Sequence, residues 1–187
     1  MTTMTLNGLD LNQLFQTVDA IKGNGDIAQF QFRAQNQWMG GGHNRTSVKD
    51  FYGACDEDKS RAEPFIFDKD EPPVLLGENK GANPVEYVLA ALAGCLTTSM
   101  VVHAAAKGIR LTKVTSRYEG DIDLHGFLGL NDEVRNGYQR IKVMFEIEGE
   151  GLTEQDKREL VMLAQSRSPV FDIVSNPVPV SVAVAIM

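Results

Sequence analysis

Cys95 is the side chain with the most chemistry to offer, and it stands in the longest uncharged stretch of the chain, the residues between Glu86 and Lys107. A thiolate there could attack an electrophile, but apolar surroundings hold the proton on the sulfur unless a cation lies close. Unpaired cysteine is usually packed as a small hydrophobe, and on spacing alone Cys95 reads that way. Cys55 sits in a polar segment and reads as a free surface thiol. Asp121, Asp123 and His125 fall at i, i+2 and i+4, where one strand face would present three metal ligands. The simpler reading is a solvated strand face, and no metal or other cofactor is expected. Glu146 and Glu148 share a side of their strand, with nothing to mark them as an acid and base pair. Asp68, Asp70 and Glu71 beside Pro72 read as a solvated loop. Gly40-Gly41-Gly42 lacks the Lys-Ser/Thr tail of a phosphate cradle.

The element that must position Cys95 is a helix from Asn83 to Gly108. Asn83 is a good N-cap, Pro84 suits the first helical position, and Gly108 is a ready C-terminal stop. Ala90, Ala91, Ala93, Gly94, Ser99 and Ala104 fall on every side, and a helix with no polar face is buried all round. Cys95 shares its face with Val88, Ala91, Leu92, Thr98, Ser99 and Val102. His103 lies about 12 Å further along the axis and reads as a hydrogen-bonded structural residue. The number of uncharged residues also suits a membrane span. Thr97, Thr98, Ser99 and His103 interrupt the hydrophobicity, and the flanking amphipathic strands need cover, so the helix reads as a soluble core.

The flanking pattern is mixed. Leu11, Leu14, Phe15, Val18 and Ile21 predict an N-terminal helix capped by Asn7 or Asp10 and ended at Gly23-Asn24-Gly25. Asp26 to Trp38 alternates and predicts a half-buried strand, returned after the glycine turn by Arg45 to Tyr52. Pro72-Pro73 ends regular structure and predicts an extended, stiff loop. Val114 to Leu124 predicts a long strand bulged at Gly120, paired with Ile141 to Ile147 through a long loop. Thr153 and Asp156 form a capping box for a second helix to about Ser166. An Asn176-Pro177 turn leads to a closing strand with Val178, Val180, Val182, Val184 and Ile186 on one face.

These elements predict an α+β domain in which helices cover antiparallel sheet. The 187 residues make one domain, 1–187, with 1–25 as an N-terminal helical extension. A net charge of −7 with no basic run argues against nucleic acid and for small-molecule or protein partners. Two cysteines make no disulfide framework, and the first residues lack the basic start and apolar run of a secretion signal, so a cytoplasmic protein is expected. One short chain has little with which to wrap the long helix, and a second copy would supply the cover, so a homodimer is expected.

The run NPVEYVLAALAGC, its small and apolar continuation, and a later helix ending in AQSRSPVF before a last strand resemble the OsmC/Ohr family of organic hydroperoxide reductases. The resemblance runs from about Gly25 to the C-terminus. It implies an OsmC-like α+β fold with antiparallel sheets and a long buried central helix, in an intertwined homodimer. It also implies that a helix cysteine reduces organic hydroperoxides, with an arginine and a glutamate holding the thiolate and a second cysteine resolving the sulfenic acid. By position the reactive cysteine is Cys95, and the arginine after the glycine turn is Arg45, with Arg61 the alternative. The family glutamate falls on Val85. Glu86 is one residue on, which turns it about 100° around the helix. The resolving cysteine falls on Ser168, so the sulfenic acid would pass to an external thiol, to Cys55, or to neither. The resemblance thus implies either a one-cysteine thiol peroxidase or a non-catalytic dimer that binds a small apolar ligand.

Overall fold

The computed structural model describes residues 4–185, so Ile186 of the expected closing strand lies outside it. The protein is α+β with antiparallel sheets, as the pattern predicts. It forms two compact units, one built on Asp10–Val88 and the other on Leu89 onward together with Leu6–Leu9.

Two short strands, Thr5–Leu6 (β1) and Leu9–Asp10 (β2), flank the Asn7-Gly8 turn. In the first unit, helix α1 (Leu11–Gly23) is capped by Asp10, whose carboxylate accepts from the Asn12 and Gln13 N–H groups. Only Leu11 of this helix is buried. The strand expected from Asp26 begins nine residues late. Gly25–Ala28 is a 3₁₀ turn capped by Asn24, and Gln35–Gly40 (β3) is the strand. The Asn24 side chain accepts from the Asp26 N–H, a local bond that takes the place of a sheet ladder there. Phe30, Phe32 and Trp38, expected on a half-buried face, are exposed. Strand β4 (His43–Val48) pairs with β3 on one side and with β7 (Phe65–Lys69) on the other. Between them, Phe51–Gly53 (β5) and Asp56–Asp58 (β6) form a small hairpin turned at Ala54 and Cys55, both at positive φ. A 3₁₀ turn at Pro73–Leu75 replaces the extended loop expected after Pro72.

Helix α2 (Pro84–Ala106) starts in the first unit and ends in the second. Its ends are as the sequence signs them. Asn83 accepts from the Val85 N–H at 2.9 Å, and the Glu86 carboxylate accepts from the Asn83 N–H at 2.8 Å. Together they form a reciprocal N-terminal cap. At the other end Gly108 has φ +73°, the Ile109 N–H reaches the Ala104 carbonyl, and the Gly108 N–H reaches the Ala105 carbonyl. That is a Schellman closure, which glycine permits without a Cβ penalty.

In the second unit, β8 (Leu111–Ile122) and β9 (Tyr138–Gly149) form a long hairpin. The register shifts near Leu111 and Ile122, not at the expected Gly120. Gly120 is required for another reason: a Cβ there would come within 2.4 Å of the Tyr138 ring. The strand stops at Ile122, and Leu124–Phe127 (α3) is a helical turn capped by Asp123. Helix α4 (Glu154–Arg167) carries the Thr153–Asp156 capping box. The core joins Leu92, Leu96, Met100 and Ala104 of α2 to Ile147 of β9 and to Leu160 and Ala164 of α4. Against it pack the inward residues of the hairpin, Val114 opposite Ile147 and Tyr118 opposite Val143. The segment after Ser168, to which the pattern assigns no element, is a further helix, α5 (Pro169–Ser175). The closing strand does not form within the described residues. Val180, Val182 and Val184 are 80–90% exposed, since the alternating pattern finds no partner strand among the described residues.

Candidate functional site

Cys95 lies half-buried on α2, within the second unit. The helix is not buried all round in a single chain. Its buried stripe is Leu92, Leu96, Met100 and Ala104, at i, i+4, i+8 and i+12. The neighbouring side carries Val88, Ala91, Gly94 and Thr98, all exposed. Cys95 stands between the two, so its sulfur borders both packed core and open, small-residue surface. Around it α2 supplies hydroxyls and methyl groups but no charge.

The two arginines marked by the sequence, Arg45 and Arg61, lie in the first unit. Antiparallel pairing puts Arg45 of β4 opposite Asp68 of β7. Its guanidinium donates twice to that carboxylate, from Nε at 2.9 Å and from Nη2 at 3.1 Å, the fork geometry that makes arginine–carboxylate pairs strong. His43 Nε2 is 2.8 Å from Asp68 Oδ1. Hydrogen bonds from Arg45 and His43 hold the Asp68 carboxyl down to about 2, and the carboxylate in turn holds the Arg45 pKa up. The alternative cation, Arg61, donates to the Lys49 carbonyl at 2.7 Å and stacks over the Phe51 and Phe65 rings. Cys55 is exposed at the β5–β6 turn.

The acidic run read as a solvated loop is instead organised around a buried carboxylate. Asp70 is 2% exposed. Its carboxylate accepts from the backbone N–H groups of Glu71, Glu78 and Lys80. Those bonds, led by Lys80, keep its pKa low despite burial. The loop closes so tightly that a Cβ on Gly77 would lie 1.8 Å from the Glu71 carbonyl oxygen, and one on Gly81 would lie 2.0 Å from the Asp68 carbonyl oxygen. Asn83 Nδ2 donates to Glu71, and the Tyr87 hydroxyl donates to the Asp68 carbonyl at 2.8 Å. The first turn of α2 is thereby fixed to β7. The strand pairing was the available signal: once the run 43–48 is laid antiparallel to 65–69, Arg45 meets Asp68 as a cross-strand ion pair.

The remaining sequence-marked residues have structural work. Glu86 caps α2 through the Asn83 N–H. Ser168 is 2% exposed, and its hydroxyl caps α5 by accepting from the Phe171 N–H at 3.1 Å. Asp121 is paired with Arg140, and Asp123 bonds His125 from the cap of α3, so the two carboxylates do not share a strand face. Among the described residues no group of three or more His, Cys, Asp or Glu side chains is placed to hold a metal.

Comparison with protein families matches residues 77–183 to the OsmC-like protein model, more than half of the 187-residue chain. The chain belongs to the OsmC-like protein family. Solved structures of the family share its fold. An OsmC-like protein from Mycoplasma pneumoniae, 16% identical, gives a TM-score of 0.60 over 79% of this chain and 89% of its own. An OsmC-like protein of unknown function from Vibrio cholerae, 12% identical, gives 0.58 over 76% and 92%. An organic hydroperoxide resistance protein, OsmC, from Legionella pneumophila, 18% identical, gives 0.52 over 79% and 90%. A comparison with curated proteins finds no match. The OsmC-like match spans α2 with Cys95, the β8–β9 hairpin, and Ser168 at the start of α5.

Proposed function

We propose that this OsmC-like protein is a thiol-dependent reductase of organic hydroperoxides that works with one cysteine, Cys95, as a cytoplasmic homodimer. The observation that carries the reading is the setting of Cys95. It is a free thiol on the family helix, half-buried, beside the exposed small residues Ala91, Gly94 and Thr98. That small-residue side suits close approach of a second copy's helix and leaves room for a substrate.

The Cys95 thiolate attacks the distal peroxide oxygen. The O–O bond breaks, sulfur keeps one oxygen as sulfenic acid, and the alkoxide leaves and takes a proton to become an alcohol. An external thiol condenses with the sulfenic acid, releasing water. A second thiol reduces the mixed disulfide and restores Cys95. Arg45 is the proposed cation for the thiolate, and Asp68 and His43 fix its strand-borne guanidinium. Glu86 orders the helix start. Ser168 has a hydroxyl where a disulfide would need a thiol, which is why the cycle calls on an external reductant.

Val85 and Ser168, in the positions of the family glutamate and resolving cysteine, favour a second reading: a non-catalytic dimer that binds a small apolar molecule. One experiment separates the two. Consumption of cumene hydroperoxide with dithiothreitol as reductant is expected for the wild type and is expected to fall to the uncatalysed rate for Cys95→Ser. Equal rates for the two proteins would leave the binding reading in place.

A further inference from the structure

We propose that the groove between α4 and β9 is a separate binding site for a small amphipathic carboxylate, independent of the chemistry at Cys95. The groove has a volume of about 450 Å³, within the range of small-molecule sites. Its floor is apolar: Phe145 and Ile147 from β9, Val161 and Met162 from α4. Two residues apart, Phe145 and Ile147 share one face of their strand. On α4 the apolar pair lies one turn beyond a basic pair, Lys157 and Arg158, on the same side of the helix. No residue of α2 lines this groove.

The charges select the ligand. Lys157 Nζ is 2.7 Å from Glu154, and these two charges offset each other. Arg158 forms no hydrogen bond or ion pair of its own among the described residues, and acts on Glu154 only as a neighbouring charge. One cation is therefore left over at the polar end of an apolar groove, in a chain whose net charge is −7. It stands in the N-terminal half of α4. Guanidinium and carboxylate match as a planar, two-bond pair. A monocarboxylate with an unbranched apolar tail would place its head on Arg158 and its tail over Val161 and Met162. Met162 is 58% exposed.

Decanoate is the probe, titrated into the purified full-length protein by calorimetry, with the Met162 methyl resonance followed by NMR. Saturable binding of one decanoate per chain below millimolar concentration is expected, with a shift of the Met162 signal. Arg158→Gln is expected to weaken binding about tenfold. Met162→Glu, a change at an exposed position that leaves the core intact, is expected to abolish it. Decanol, with the same tail and no charge, is expected to bind at least tenfold more weakly. The proposal is overturned if decanoate gives no saturable signal, if decanol binds equally, or if neither variant changes the affinity. It is equally overturned if decanoate fails to bind and Met162→Glu splits a dimer, since a second copy would then be the groove's occupant.

Discussion

The start of α2 and its middle are built on opposite principles. Around the first turn, Asp68, Asp70, Glu71, Asn83 and Glu86 are held by hydrogen bonds to named partners, and Arg45 is clamped on Asp68. Around Cys95, α2 itself supplies packing and open small-residue surface but no charged side chain. The first turn carries fixed electrostatics, and the middle of the helix carries the thiol. Family membership is shown by the match over residues 77–183, whereas the proposed reaction asks for both a thiol and a cation.

The largest effect is expected from breaking the packed side of the middle. Leu96 is 1% exposed in the core, and Leu96→Ala should cost about 2–5 kcal/mol, the usual range for a large-to-small core change. Urea unfolding followed by circular dichroism measures it. A loss below 1 kcal/mol would mean that the stripe on α2 is not the core described here.

A smaller effect tests the link between the regions. If Arg45 serves Cys95, Arg45→Met removes a cation that favours the thiolate, and alkylation of Cys95 by iodoacetamide at neutral pH should slow by roughly tenfold. An unchanged rate would reject Arg45, and slowing in Arg61→Met instead would transfer the role to Arg61.

The smallest effect concerns the polar region alone. Asp68 titrates at about 2 in the folded chain against an ordinary 3.8. The unfolded chain therefore binds more protons in that window, and stability rises with pH through it. The contribution is complete above about pH 4 and is lost as pH falls toward 2. Asp68→Asn removes it, so the gap in urea midpoint between wild type and variant should be wider at pH 5 than at pH 2.5. A gap independent of pH would contradict the Arg45–Asp68–His43 arrangement.

What the sequence disclosed follows from how local each feature is. The caps of α2, the capping box of α4 and the β8–β9 hairpin rest on residues a few positions apart or on strict alternation, and all are found. Asp70 was opaque because its partners lie one, eight and ten residues later, brought back only by the turn of the loop. Helix α5 had a usable signal, serine followed by proline at the first helical position. The closing valine run shows the limit of periodicity: alternation states which side chains would share a face, but a strand also needs a neighbour for its backbone. Cys95 was legible as the one chemical residue of the helix. The partners assigned to it came from resemblance, and the structure gives Arg45, Glu86 and Ser168 each a hydrogen-bonding role of its own.

The central claim, one-cysteine peroxidase chemistry at Cys95, is tested most directly by mass spectrometry of the wild type after cumene hydroperoxide without added thiol. The expected result is Cys95 as sulfenic acid or its over-oxidised forms, with no disulfide, because Ser168 cannot form one. A disulfide between Cys55 and Cys95, or a Cys95 left unmodified, would contradict it.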